Sequence, residues 1–300
     1  MIDIKTPQDH IILVPMDFSD SSINAVYYAV EMANLFDSEV TLLHVLSKST
    51  LSGLFINASE IALLREKVRK KLEDLKAEIL EKWPTIKVNT LVSEGKPFKV
   101  INKVAKDNKC DTIVMGTNGV NGIEQFTGST TSRVIKSSEI PVIAVKKKRT
   151  EPKFDKIVLP IDLTKTSKQK IDWAVKVGLK YNSTIHIIME LDKDELIEKK
   201  IKANLNQAEG ILSKYGVKYE SHLLDDREYP DNLGKDTIKY AEEIDADLII
   251  IMTKSETAKL SDLFVGSYAE QVVNSSQKTP VMCINPKPTG SRSTGGSGFY

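Results

Sequence analysis

The chain repeats itself, and this constrains its fold more than any other feature of the sequence. Three pairs of segments recur in the same order. PMDFSDSS at 15–22 matches PIDLTKTS at 160–167, GSTTSRVIKSS at 128–138 matches GSYAEQVVNSS at 266–276, and PVIAV at 141–145 matches PVMCI at 280–284. Because three matches in register do not arise by chance, we interpret the chain as a duplicated domain.

The two copies meet in a polar, charged segment, KKKRTEPKFD at 146–155, which is typical of a domain boundary. A length of 300 residues also fits two domains of about 150 residues each. We therefore place the first domain at 1–148 and the second at 149–287. Residues 288–300 are rich in Gly and Ser and are predicted to form a flexible tail.

Each copy alternates short apolar runs with longer amphipathic segments. The apolar runs start at positions 11, 39, 86, 111 and 141 in the first copy and near 156, 184, 217, 247 and 280 in the second. Between them, apolar residues recur at helical spacing, as from Ile61 to Ile79. This alternation predicts an α/β fold with a mostly parallel sheet covered by helices on both faces. Ligands of such sheets bind at the carboxyl ends of the strands.

Composition narrows the classes of partner. Lys and Arg number 42 and Asp and Glu 41, so the net charge of +1 argues against a nucleic-acid partner. No apolar run approaches the length of a membrane span, and the amino terminus lacks the apolar core of a secretion signal. The two cysteines, Cys110 and Cys283, cannot build a disulfide framework. We expect a reduced, cytoplasmic protein without a membrane partner.

Asp17 directly follows the first predicted strand. A carboxylate at that place can accept hydrogen bonds from the ribose hydroxyls of a nucleotide. It can equally form a turn or cap the next helix, and the sequence leaves both roles open.

The segment GTNGVNGIEQFTGST at 116–130 has the composition of a phosphate-binding loop. Gly116, Gly119 and Gly122 let the backbone approach a ligand, and Gly128 is followed by a predicted helix whose free N–H groups favour anions. The alternative is a plain connecting loop before a capped helix. The spacing matches neither a Walker loop nor GxGxxG.

No motif for other chemistry is present. CxxC, HExxH and GxSxG are all missing from the sequence. His44 and His186 lie in predicted strands and are interpreted as packed residues, whereas His10 and His222 are interpreted as surface residues. We therefore predict neither catalytic residues nor a metal site.

On these segments the sequence resembles the universal stress protein family in its tandem form. The resemblance extends from about residue 9 to 286 and rests on VPMDFSDSS, on LLHV at 42–45, and on the block from DTIVMGTNG to PVIAV. It implies two Rossmann-like domains, each a five-stranded parallel sheet with helices on both faces. It also implies an intramolecular pseudo-dimer in which PVIAVK and PVMCIN lie side by side.

Many members of that family bind ATP through Gly-x2-Gly-x9-Gly-Ser/Thr, and others lack the pattern and do not bind it. By resemblance, Asp17 would contact the ribose, the Val45 backbone the adenine, and the helix start at 128–130 the phosphates. The full set of nucleotide-binding residues implied is Pro15, Met16, Asp17, Val45, Met115, Gly116, Asn118, Gly119, Gly128, Ser129 and Thr130.

The chain departs from this pattern in both halves. Eight residues instead of nine separate Gly119 from Gly128. The second half has no glycine between Gly234 and Gly266, and MTKSE at 252–256 stands where the first half has GTNG. We therefore predict a degenerate site in the second domain.

Three functions compete on this evidence. The first is a stress-response or signalling module that binds ATP, with Mg²⁺, or another adenine nucleotide in the first domain, and hydrolyses it slowly at most. The second is a scaffold without a nucleotide that acts by homodimerisation or on an unidentified protein partner. The third, an adenylating enzyme, lacks a recognisable catalytic loop. The glycines and Asp17 favour the first.

Overall fold

The computed structural model describes residues 10–47, 57–117, 130–147, 153–163, 167–225, 232–253 and 268–286. The predicted tail at 288–300 and residues 148–152, half of the inter-domain segment, lie outside these ranges. The boundaries and the flexibility of the tail therefore stay predictions.

The first half alternates strands and helices as the hydrophobic pattern predicts. Its strands and helices in chain order are β1 (Ile11–Pro15), α1 (Asp20–Phe36), β2 (Glu39–Ser47), α2 (Ala58–Lys82), β3 (Val88–Gly95), α3 (Pro97–Asp107), β4 (Thr112–Gly116), α4 (Thr130–Ser137) and β5 (Val142–Val145). Local sequence signals set several ends. Ser19 caps α1 by accepting a hydrogen bond from the Ser22 N–H, and Asn57 and Glu60 form a capping box at the start of α2.

The second half repeats this order. Its elements are β6 (Lys156–Pro160), α5 (Ser167–Tyr181), β7 (Thr184–Glu190), α6 (Glu195–Lys214), β8 (Lys218–Leu224), α7 (Leu233–Glu243), β9 (Leu248–Met252), α8 (Tyr268–Ser275) and β10 (Val281–Ile284). Asp194 and Asn232 cap α6 and α7 through their side chains.

The ten strands of the described ranges form one sheet in the order β3-β2-β1-β4-β5-β10-β9-β6-β7-β8. The five strands of each half are parallel to one another, and β5 and β10 pair antiparallel at the centre, with Ile143 opposite Met282. The predicted α/β class, the five-stranded parallel sheets and the adjacent last strands are confirmed. Because the central pair is antiparallel, the strands of the two halves run in opposite directions. The carboxyl ends of the first half's strands and those of the second half's strands therefore lie on opposite sides of the sheet.

Helices cover both faces of the sheet, and each face has a core that runs through both halves. One core packs α1, α2, α5 and α6 against the sheet, and the other packs α3, α4, α7 and α8. Residues at the seam, such as Ile143 and Met282, are almost fully buried. Among the described residues, no helix combines the length and the apolar character needed to cross a membrane.

In each half, an aspartate side chain accepts a hydrogen bond from the backbone at the amino end of the first strand. Asp111 accepts a hydrogen bond from the Ile11 N–H at 3.2 Å, and Asp247 accepts one from the Lys156 N–H at 2.9 Å. These carboxylates satisfy backbone donors that the sheet ladder leaves open. The same contact recurs in both halves, and no local sequence signal predicts it.

A close approach between α1 and β4 shapes the carboxyl edge of the first half. A Cβ built on Gly116 would lie 2.5 Å from the carbonyl carbon and oxygen of Ser21. Real Cβ atoms do not come this close to backbone, so Gly116 is required by packing, independently of any ligand. The missing side chain therefore lets the start of α1 pack directly against the end of β4.

The central strand pair gives a direct test of the architecture. Val142 lies opposite Cys283, and both side chains face the same core. Replacing Val142→Cys places two thiols on neighbouring antiparallel positions, where a disulfide can form. Mild oxidation is expected to give a cross-link within one chain, detected as a shifted monomer band on a non-reducing gel.

Ile143→Cys is the matched control, since Ile143 pairs with Met282 and faces the other core. It should give no such band. A covalent dimer from Val142→Cys would contradict the pairing within one chain.

A second test compares two glycines. Gly116→Ala is expected to lower the free energy of unfolding by about 1–3 kcal/mol, because its methyl group must displace the α1 backbone. Gly210→Ala, on the exposed side of α6 with no atom within 4 Å of the added Cβ, is expected to raise it by about 0.5–1 kcal/mol. Urea denaturation measures both, and equal effects would refute the close contact at Gly116.

Candidate functional site

A cleft of about 180 Å³ opens at the carboxyl ends of β1, β2 and β4. It lies where the strand order reverses between β1 and β4, which is the usual ligand position in such sheets. Seven of the residues predicted from the sequence line it together: Pro15, Met16, Asp17, Val45, Met115, Gly116 and Thr130. The other four, Asn118, Gly119, Gly128 and Ser129, lie outside the described residues.

Asp17 is exposed at the mouth of the cleft. Its Oδ1 accepts hydrogen bonds from the Ser19 backbone N–H at 3.0 Å and from the Ser19 hydroxyl at 2.5 Å. The turn role that the sequence left open is therefore present. The same bonds fix the carboxylate in one orientation at the cleft, so the two roles are compatible.

His44 also lines the cleft, although its place in a strand predicted only a packed residue. Its Nδ1 lies 2.9 Å from the Met16 carbonyl oxygen, and its ring packs on Phe18 with centroids 5.2 Å apart. Burial is the largest effect on His44 and lowers its pKa. The hydrogen bond to the Met16 carbonyl and the charge of Asp17 raise the pKa, but by less. The neutral imidazole therefore donates from Nδ1 and holds the turn after β1 in place.

The start of α4 faces the cleft next to the end of β4. The Thr131 hydroxyl donates to the Gly116 carbonyl oxygen at 2.7 Å, which anchors the helix start, and Thr130 is exposed. The first N–H groups of a helix lack partners within the helix and attract anions. Ser21, Ser22 and Thr131 also line the cleft. Sequence reasoning missed these three, although the Ser-rich start of α1 was a visible signal.

The register of the strands identifies the equivalent residues of the second half. Pro15 pairs with Leu43 and Pro160 with Ile188, so Glu190 stands at the position of Val45. By the same comparison Met252 replaces Gly116, and the matching GST and GSY segments place Tyr268 at the position of Thr130. Larger or charged side chains therefore stand at three positions that line the cleft of the first half.

A buried lysine lies at the same end of the second half. Lys170 is only 3% exposed, and its ammonium donates to the Pro160 carbonyl oxygen at 3.0 Å and lies 3.8 Å from Asp162. Burial lowers the pKa of Lys170, and Asp162 partly opposes that shift. Asp162 is the equivalent of Asp17, so in this half the aspartate has a protein cation beside it.

Comparisons with known proteins agree on one family. The sequence profile of the universal stress protein family matches residues 10–146 and again residues 153–285. Universal stress protein MJ0531 of Methanocaldococcus jannaschii is 38% identical over 144 residues, covering 47% of this chain and 84% of that protein. Universal stress protein MJ0577 of the same organism is 31% identical over 157 residues, covering 46% of this chain and 96% of that protein.

A solved structure matches the full tandem arrangement. The crystal structure of a universal stress protein from Archaeoglobus fulgidus has a TM-score of 0.72 and 22% identity, covering 93% of this chain and 97% of that one. At this identity the match supports the fold. Because the family profile matches each half separately and together nearly the whole chain, this chain belongs to the universal stress protein family, with two copies of the domain in tandem.

Proposed function

We propose that this stress-response protein binds ATP or another adenine nucleotide in the cleft of its first half and not in its second. One observation carries the proposal: the residues that the family resemblance predicts for the nucleotide, as far as the structure describes them, line one cleft at the strand-order reversal. Pro15, Val45, Met115 and Thr130 come from four separate elements, and all four line this cleft.

The chemistry of the walls matches the parts of a nucleotide. Pro15, Val45 and Met115 offer an apolar surface for the adenine ring, with backbone groups at the strand end. Asp17 offers the ribose a carboxylate of fixed orientation. The start of α4 offers the phosphates backbone N–H groups.

A magnesium ion would enter with the phosphates. Mg²⁺ usually keeps several waters and takes one or two carboxylates beside the phosphate oxygens. Asp17 is the one carboxylate among the described residues that line the cleft, so it is the residue able to contact such an ion or its waters. The site thus fits a magnesium ion held mainly by the nucleotide.

We expect any hydrolysis to be slow. Of the described lining residues, Asp17 and His44 are the candidates for a general base, and both are engaged, Asp17 with Ser19 and His44 with the Met16 carbonyl. No catalytic motif accompanies these two residues in the sequence. The site therefore favours binding and sensing of a nucleotide over its turnover. Cys110 and Cys283 are buried as reduced thiols, which suits a reducing compartment such as the cytoplasm.

Titration of the intact chain with Mg-ATP tests the proposal, with an expected stoichiometry of one site per chain. Gly128→Glu adds a negative charge where the phosphates are predicted to bind, and is expected to abolish the binding heat. Gly266→Glu is the matched control at the repeat position of the second half and should leave the titration unchanged.

Two sites per chain would contradict the degenerate second half. No binding at high protein concentration, confirmed by a thermal-shift assay, would refute the nucleotide site and favour the scaffold function. AMP and cAMP titrated in parallel would identify another adenine nucleotide if ATP itself fails.

A second pair of variants tests the ribose contact. Asp17→Ala is expected to weaken nucleotide binding about tenfold or more, since hydrogen bonds to a charged group contribute about 1.5–3 kcal/mol. Asp162→Ala, at the equivalent position of the second half, should leave the affinity unchanged. Thermal midpoints of both variants control for folding. A comparison of ATP with its 2′-deoxy analogue isolates the ribose contact: the difference in affinity between these two nucleotides should be smaller in Asp17→Ala than in the unmodified protein. An unchanged affinity in Asp17→Ala would refute the contact.

A further inference from the structure

Three potential metal ligands meet at the outer edge of the second half, away from the nucleotide cleft. Strands β7 and β8 form this edge, and their register places His186 directly opposite Glu220. His222 follows Glu220 by two positions and therefore points to the same side of the sheet. All three side chains lie on the face that α7 covers.

Their ligand atoms are already close together. One Glu220 oxygen, Oε2, lies 3.7 Å from His186 Nδ1 and 3.7 Å from His222 Nε2. One ligand atom from each residue lies within 4.8 Å of the other two. Ligands of a tetrahedral zinc ion stand about 3.3 Å apart, given bonds near 2.0 Å. A shift of a few tenths of an ångström in the Glu220 carboxylate, whose side chain is 60% exposed, would bring two of these separations to that value.

The imidazoles are held in a fixed arrangement. The rings of His186 and His222 stack with an interplanar angle of 16°, and the Tyr240 ring packs against His222 at 4.9 Å between centroids. His186 is 5% exposed. A fixed arrangement lowers the entropy that the ligands lose on coordination.

One imidazole nitrogen lacks a hydrogen bond. Among the described residues, His222 Nε2 is a buried atom without a hydrogen-bond partner, since the Glu220 oxygen at 3.7 Å is beyond hydrogen-bond distance. A buried nitrogen of this kind is costly to leave unsatisfied. A metal ion between the three residues would satisfy it.

The other groups that surround these three residues are compatible with a bound metal ion. The Tyr240 hydroxyl lies 3.3 Å from His186 Nδ1, a long contact that a metal bond can replace. Lys156 is a cation near His186. Its ammonium has a partner of its own, because it donates a hydrogen bond to the Ile244 carbonyl oxygen at 2.9 Å.

We propose that His186, Glu220 and His222 bind a divalent transition-metal ion, best Zn²⁺, at the β7–β8 edge. Two imidazoles and one carboxylate form a ligand set that zinc commonly takes, and three protein ligands leave a fourth position for water. The Glu220 side chain is 60% exposed, so the ligand set borders solvent on that side. The ion would tie the outermost strand to its neighbour and stabilise that edge of the sheet.

The first half lacks this ligand set. By register, Thr41 stands at the position of His186, Asn89 at that of Glu220 and Leu91 at that of His222. The repeat therefore provides the strand geometry in both halves and the ligands in one. The site is a property of the second copy and does not depend on the proposed nucleotide site.

Calorimetric titration of the metal-free full chain with Zn²⁺ tests this proposal, and saturation is expected near one ion per chain. Glu220→Gln and His222→Gln are each expected to weaken the affinity at least tenfold. Both positions lie on a partly exposed edge strand, so the variants should fold, and their thermal midpoints without metal check this. His10→Gln removes a histidine elsewhere and should leave the affinity unchanged.

Substitution with Co²⁺ reports the geometry directly. A site of three protein ligands is expected to give the intense visible absorption of four- or five-coordinate Co²⁺, lost in Glu220→Gln and His222→Gln. Mg-ATP titrations of these variants should match the unmodified protein, which separates failure of this site from failure of the nucleotide site. Absence of saturable Zn²⁺ binding, unchanged affinity in both variants, or an equal loss in His10→Gln would overturn the proposal.

Discussion

The antiparallel pairing of β5 with β10 is the constraint on which the rest of the structure depends. It converts two five-stranded sheets into one and removes two edges that would otherwise expose unpaired backbone groups. The residues in this pair are almost fully buried, so the two cores continue across the seam. The pairing also makes the strands of the two halves run in opposite directions. The candidate nucleotide cleft of the first half and its counterpart in the second half therefore lie on opposite sides of the sheet.

Within this symmetric frame the two copies differ mainly in the side chains at equivalent positions. At the carboxyl edge, Val45 and Gly116 of the first half correspond to Glu190 and Met252 of the second, and Lys170 is buried beside Asp162. On the outermost strand pair the second copy carries the additional groups: His186, Glu220 and His222 stand where the first copy has Thr41, Asn89 and Leu91. A repeated backbone thus supports two different kinds of candidate site, one in each half.

Much of the fold follows from sequence, because it rests on local signals. Hydrophobic periodicity marks strands and helices, caps such as Ser19 and Asn57 mark helix starts, and the repeat marks two domains. The cleft was predictable in outline, since Asp17 and Gly116 follow strands whose carboxyl ends must share one edge. The Asp111 and Asp247 contacts with the first strands were not predicted, because each joins residues about a hundred positions apart.

The sequence by itself determined the α/β class, the duplication and the family, because these depend on the order and spacing of residue types along the chain. Only the tertiary structure decided which side chains meet. His186 and Glu220 are 34 positions apart in the sequence and become neighbours through the register of β7 and β8. Likewise, Gly116 is required by the Ser21 backbone of a helix almost a hundred residues earlier. Register and helix packing are properties of the whole fold, because every strand pair and both cores must be satisfied together.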